Sequence, residues 1–293
     1  FWKIGGHFGD ENLPLVLETD EAFNTFQNID IDNLLVTNID NDHLDYFGNF
    51  KNLVKAFTKV INNVKQTVVI NYDDDNLKKI KNDNLVTYGE HQKVDIKIIE
   101  PNIISYQKNK HVVDSVLIGK HYLSNIAGAI ALCILYELSI SEILEAISKF
   151  SGVKRRLEYI GTYNDVKFYD DYGHHPTEMK ATISSLKNNT LGKLFVIFQP
   201  HRFTRTRDNF EQLQESLKDA DFAVVTDVYS AGEEPIPGIS SKNFKGKNIK
   251  YIKSIRSVPI YIKDNITSGD IVLTLGAGDI TLLGPQILKY LND

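Results

Sequence analysis

Apolar residues follow two rhythms along this chain. Compact apolar runs at Leu13–Glu18, Leu34–Thr37 and Thr67–Asn71 predict buried strands, each followed by polar or helix-forming sequence. Val94–Glu100 and His111–Ile118 are looser strand candidates, suited to antiparallel additions or an edge. A helical rhythm takes over from about His121 to Leu138. A second helix begins at Ser139, where Ser139 and Glu142 form an S-x-x-E capping box and Ile143, Leu144 and Ile147 supply the apolar face.

Past Gly152 the style changes. Leu157–Tyr163 and Val166–Asp170 flank Asn164-Asp165, a hairpin-turn dipeptide. Strands are predicted at Leu194–Phe198, Phe222–Thr226, Ile249–Ile252 and Ile271–Leu275, alternating with helices near Pro176–Leu186, Asp208–Ala220 and Ile280–Leu291. Such alternation implies a mostly parallel sheet covered on both faces. The boundary falls near Gly152, giving domains 1–152 and 153–293 of an α/β protein, the first short of its opening strands and helices.

Composition narrows the class. The 293 residues leave room for two domains, and 42% hydrophobic with 24% charged residues is an ordinary globular balance. A net charge of −5 argues against a chain built to wrap nucleic acid. Cys133 is the only cysteine, so no disulfide forms within the chain. The longest apolar run, Ile126–Tyr136, is shorter than the ~18 residues that span a bilayer, and no leader pattern opens the chain. A cytoplasmic protein without membrane or nucleic-acid partners is expected. The single methionine is Met179, so the chain reads as part of a longer protein.

Ligands of parallel α/β sheets collect at the carboxyl ends of strands. Here five predicted strand ends carry reactive side chains: Glu18–Glu21, Thr37–Asp45, Asp170–Pro176, Gln199–Arg207 and Asp227–Glu233. Each has a plainer reading. Glu18–Glu21 suits a solvated loop, Asp42-His43 a helix cap, and His174-His175-Pro176 a helix start. Arg202, Arg205 and Arg207 suit a solvated helix face, and Gly276-Ala277-Gly278 is only part of a dinucleotide fingerprint. Convergence on the sheet edge favours function. Glu and His with hard neighbours suit Mg²⁺ that keeps water and phosphate ligands. Arg202 and Arg205, three apart, would share one side of a helix and clamp a phosphate or carboxylate.

The blocks ETDE (18–21), TNIDNDHLDYFGNF (37–50), GKHYLSN (119–125), GVKRR (152–156), DDYGHHPTE (170–178), FQPHRFTRTR (198–207), DVYSAGEEPI (227–236) and GAGDI (276–280) occur in this order. From about Ile4-Gly5-Gly6 to the C-terminus the chain resembles the Mur ligases, and DDYGHHPTE with FQPHRFTRT resembles their alanine-adding branch. The resemblance implies a truncated central ATPase domain followed by a Rossmann-like C-terminal domain. It implies that ATP phosphorylates the muramoyl carboxylate of UDP-N-acetylmuramate and that the amine of L-alanine attacks the acyl phosphate, in peptidoglycan synthesis. By matching position, Glu18 and His43 would contact Mg²⁺, while Asn125, Arg156 and Asp171 would hold the adenine, phosphate and ribose of ATP. Tyr172, His174, Arg202 and Arg205 would fix L-alanine and the muramoyl end.

Two departures stand out. Tyr122 follows His121 where the family motif usually reads His-Asn, which leaves Asn125 as the nucleotide contact. No G-x-x-x-x-G-K-[S/T] phosphate loop occurs, and Gly119-Lys120-His121 lacks the upstream glycine and the hydroxyl. These 293 residues are therefore expected to be catalytically incomplete. The alternatives are a murein-peptide ligase of cell-wall recycling, a metal-dependent hydrolase using Asp170, Asp171, His174, His175 and His201, or a non-catalytic nucleotide-binding module.

Overall fold

The computed structural model describes residues 9–293 apart from Glu11 and Asp20. Ile4–Gly6, where the resemblance begins, and Asp20 of the first acidic block lie outside the described residues. The chain forms two compact units, one from the described residues up to Val116 with Lys120–Phe150, the other from Leu117–Gly119 with Ser151–Asp293.

The first unit is built on a six-stranded sheet with strands in chain order: β1 (Asn33–Val36), β2 (Thr67–Asn71), β3 (Leu85–Gly89), β4 (Ile96–Ile99), β5 (Ile103–Tyr106) and β6 (Asn109–Val112). The first four run parallel, and β5 and β6 are antiparallel additions. Its helices are α1 (Leu44–Phe47), α2 (Phe50–Asn63), α3 (Lys120–Ile134) and α4 (Ile140–Ser148). Alternation along the strands sorts side chains to two faces. Val36, Val68 and Ile70 pack with Leu53 and Ile61 of α2. Leu35 and Tyr88 face α3, where an added Cβ on Gly128 would meet the Tyr88 ring at 2.9 Å and Leu35 at 3.0 Å. That close approach requires a glycine.

The second unit has the strand order β11-β10-β9-β12-β8-β7. Its elements are β7 (Glu158–Tyr163), β8 (Val166–Asp171), α5 (Pro176–Asn188), β9 (Leu194–Phe198), α6 (Phe203–Asp208), α7 (Phe210–Ser216), β10 (Phe222–Val225), β11 (Ile249–Tyr251), α8 (Val258–Asn265), β12 (Ile271–Leu275) and α9 (Leu283–Asn292). All strands but β7 are parallel, so the carboxyl ends of β8, β12, β9 and β10 line one edge. Phe168, Phe195, Ile197 and Val272 pack with Val258, Ile262, Leu283 and Ile287 of α8 and α9. The sheet's other face is covered by α5, which packs on β9 and on α7.

Several sequence expectations are corrected. Leu13–Glu18 is not a strand: no described strand pairs with it, and Leu15 and Val16 are 84% and 83% exposed. The His111–Ile118 strand stops at Val112, and the helix expected to reach Leu138 ends at Ile134, where Glu137 adopts a left-handed φ. The helix predicted over Asp208–Ala220 breaks at Asn209 into α6 and α7, then tightens to a 3₁₀ turn at Leu217–Asp219. The last helix opens with a 3₁₀ turn before Leu283. Among the described residues no helix is long and apolar enough to cross a membrane.

Candidate active site

Tight turns bring the chemistry to the carboxyl edge of the second sheet. Strand β8 ends in Asp170 and Asp171, which are 2% and 3% exposed. Asp170 accepts hydrogen bonds from Thr274 Oγ1 at 2.6 Å and Thr281 Oγ1 at 2.7 Å, binding its strand to β12 and the turn beyond it. Asp171 accepts from the backbone N–H groups of Leu157 at 2.7 Å and Gly173 at 2.8 Å. Burial raises its carboxyl to about 6, against those amides and the Arg156 charge. A carboxylate so enclosed organises the loop that follows its strand.

The turn after β8 is fixed at α5. Glu178 accepts from the backbone N–H groups of His174 at 3.2 Å and His175 at 3.3 Å, satisfying donors at the helix start. It also receives Arg156 Nη1 at 3.3 Å, in an exposed ion pair. Burial works to raise the Glu178 carboxyl, but His174 and the other donors outweigh it and lower it. Tyr172 lies under two guanidiniums, with Arg155 Cζ 4.7 Å and Arg156 Cζ 5.5 Å from its ring centre. Arg155 also donates to the carbonyls of Gly276 at 2.7 Å and Gly278 at 3.2 Å, pinning the glycine turn after β12.

The turn after β9 carries His201, Arg202 and Arg205. His201 pairs with Tyr229 as a parallel bridge beyond the ends of β9 and β10, and their rings stack at 5.5 Å. His174 stands 5.9 Å from His201, ring to ring, and Arg205 Nη1 approaches His201 Nδ1 at 3.4 Å. Burial, then the His174 and arginine charges, pushes the His201 imidazole down to about 4, so it is neutral at physiological pH. Arg202 is not on a helix with Arg205, as its spacing suggested. It precedes α6 with φ +70°, and its Nε donates to Glu233 Oε1 at 2.7 Å.

The structure thus gathers Tyr172, His174, Arg202 and Arg205 at one sheet edge and adds His201, Tyr229, Glu233 and Arg155. Those four lie inside the sequence blocks, but only the paired strand ends reveal what they touch.

In the first unit Glu18 and Asn125 are exposed, Asn125 on α3. His43 has φ +53°, and its Nε2 lies 3.9 Å from both Glu21 Oε1 and Asp42 Oδ2. Among the described residues no three His, Cys, Asp or Glu side chains form a metal-holding group. A Mg²⁺ that keeps water or phosphate oxygens needs few protein ligands, unlike a closed metal site. For the metal-dependent hydrolase alternative, Asp170 and Asp171 already accept from hydroxyl and backbone donors, and arginines, which repel a cation, stand beside Asp170 and His201.

Two segments of the chain match models of one protein family. Residues 16–133 match the Mur ligase middle domain and residues 155–278 the Mur ligase glutamate ligase domain. The chain is 38% identical to a UDP-N-acetylmuramate–L-alanine ligase of Endomicrobium trichonymphae, over 94% of this chain and 65% of that one. It is 34% identical to the corresponding ligase of Caldicellulosiruptor bescii, over 98% of this chain and 68% of that one. It therefore spans about two thirds of the length of the curated relatives it matches. The solved UDP-N-acetylmuramate–alanine ligase of Thermotoga maritima superposes with a TM-score of 0.72 at 24% identity, covering 90% of this chain and 60% of that one. A murein peptide ligase of Psychrobacter arcticus has a TM-score of 0.61 at 20% identity, covering 92% and 59%. These two likenesses speak to fold.

Proposed function

Because the chain belongs to the Mur ligase family, we propose that it carries the nucleotide-handling and amino-acid-adding parts of a cytoplasmic UDP-N-acetylmuramate–L-alanine ligase of peptidoglycan synthesis. The observation that carries this reading is 33–38% identity over about nine tenths of the chain to ligases of that specificity. On this reading residues 1–152 are the central ATP-binding domain and 153–293 the ligase domain. The reaction joins two carboxylate-bearing substrates, so the protein must neutralise anions while holding a neutral amine near an acyl carbon. ATP first phosphorylates the muramoyl carboxylate. The amine of L-alanine then attacks the acyl carbon, and the tetrahedral intermediate collapses to amide and inorganic phosphate.

The residues suit those tasks. Arg202 and Arg205 pair with the L-alanine carboxylate, bidentate geometry being what a guanidinium offers best. Tyr172 and His174 border that position, and neutral His201 neither repels the arginines nor competes for the carboxylate. Asn125 contacts the adenine, Arg156 the phosphates, and Asp171 shapes the loop proposed to lie by the ribose. Glu18 and His43 would hold Mg²⁺, which when bound spreads the charge of the transferring phosphoryl group.

The test is direct. The protein as its gene encodes it is incubated with UDP-N-acetylmuramate, ATP and Mg²⁺, and with either L-alanine or the tripeptide L-alanyl-γ-D-glutamyl-diaminopimelate. Product with L-alanine and little with the tripeptide is expected. The reverse preference assigns the protein to the recycling branch, and no product with either overturns the reading.

A further inference from the structure

The loop after β10 holds the guanidinium of Arg202. Glu233 reaches back 31 residues to accept from Arg202 Nε at 2.7 Å. It is anchored by Thr204, whose backbone N–H and Oγ1 donate to it at 3.0 and 2.6 Å. The Glu233 side chain is 17% exposed and that of Arg202 42%. The backbone of Arg202 is fixed too: its N–H donates to Tyr229 O at 2.8 Å, and its carbonyl accepts from Thr206 Oγ1 at 2.8 Å. The side chain torsions are what remain free, and the Glu233 contact restrains them.

We propose that Glu233 is a positioning residue for amino-acid binding: by engaging Nε it orients Arg202 so that the Nη edge meets the carboxylate of the incoming amino acid. The inference rests on the alanine-ligase reading above. An unrestrained arginine would lose its rotamer freedom when it bound substrate, and that loss would weaken binding. Glu233 makes the restraint part of the fold. Its charge is matched by Arg202, so the pair presents a directed hydrogen-bond donor without adding net charge to the turn.

The experiment compares wild type with Glu233→Gln, Glu233→Asp, Arg202→Ala and the double variant Arg202→Ala/Glu233→Gln, in the protein as its gene encodes it. The apparent KM for L-alanine, that for ATP, and kcat are measured alongside thermal midpoints. Glu233→Gln should raise the KM for L-alanine roughly 10- to 100-fold, the scale of a charge-assisted contact, with the KM for ATP within about twofold. Glu233→Asp should recover part of the loss, and the double variant should be no worse than Arg202→Ala. Thr204→Val, which removes one anchor of Glu233 and leaves the ion pair, should give a smaller shift in the same direction and guards against a folding failure of Glu233→Gln. An unchanged L-alanine KM in Glu233→Gln, equal effects on both substrates, or additive losses in the double variant would overturn the inference while leaving the ligase reading intact. A wild-type protein that makes no alanine adduct overturns the reading itself, and the inference falls with it.

Discussion

The imidazole of His201 lies flat against the ring of Tyr229, with centroids 5.5 Å apart and planes 12° from parallel. The two residues come from the turns after neighbouring parallel strands, and their backbones continue the pairing of those strands. Tyr229 N–H donates to Pro200 O at 2.8 Å, and Arg202 N–H to Tyr229 O at 2.8 Å. The pair therefore forms a floor beside the arginines, whose position depends on the sheet.

That floor is packed against the glycine turn after β12. A Cβ on Gly278 would lie 2.7 Å from Tyr229 Cγ and collide with Gln199 Oε1, which already accepts from Ile280 N–H at 3.1 Å. Gly278→Ala should destabilise the second unit by about 1–3 kcal/mol, the usual cost of overpacking. Urea unfolding should show a lower midpoint with an unchanged slope. A midpoint equal to wild type would mean that the turn yields freely.

Acid should weaken the fold in a defined order. The unfolded chain takes up the His201 proton near 6.5 while the fold resists until about 4, so stability is lost as pH falls through that window. Asp171 acts oppositely: its folded carboxyl is raised from 3.8 to about 6, which adds stability as pH falls across that interval. Burial works to raise Glu233, but Thr204 and Arg202 hold it at about 2 against 4.5, so its contribution fades as pH falls from 4.5 towards 2 with no such offset. Thermal midpoints should change little from pH 6.5 to 4.5 and drop below it, and Glu233→Gln should flatten the drop. Parallel pH curves for variant and wild type would show that this carboxylate titrates normally.

Much of the fold is legible from residue order alone, for a physical reason. Strand β9 is a continuous apolar run, and β2 and β12 carry buried apolar cores of three residues each, so the runs mark where these strands lie. The Ser139–Glu142 capping box and the Asn164-Asp165 turn are local chemistry and appear as read; both turn residues have positive φ. Strands β3 and β5 are short and mixed in polarity, and only their neighbours make them strands. Leu13–Glu18 errs in the opposite direction, since an apolar run becomes a strand only beside a partner. The spacing of Arg202 and Arg205 suggested one helix face, whereas Arg202 turns the chain with φ +70°. Its restraint by Glu233 is a non-local contact that no periodicity encodes.

In the protein as its gene encodes it, Glu18→Ala should lower turnover at least ~10²-fold by removing a hard oxygen donor from the phosphoryl-transfer step. The loss should be partly recovered by raising Mg²⁺. Near-normal turnover at ordinary Mg²⁺ would place the metal on other residues, such as Glu21 beside His43.

Arg205→Ala should separate the two small substrates. Loss of a charge-assisted contact corresponds to ~1.5–3 kcal/mol, or one to two orders of magnitude in apparent L-alanine affinity or turnover. The apparent constant for ATP should stay near wild type. Unchanged L-alanine use, or a selective ATP defect, would remove Arg205 from the amino-acid site.

The central claim is amide formation through an acyl phosphate, and oxygen tracing tests it most directly. UDP-N-acetylmuramate labelled with ¹⁸O in both carboxylate oxygens is turned over with ATP and L-alanine by the protein as its gene encodes it. The phosphate released is then weighed by mass spectrometry. One labelled oxygen per phosphate is predicted, because the carboxylate oxygen bonded to phosphorus leaves with it when the amine displaces it. Unlabelled phosphate formed in step with the amide would contradict the account.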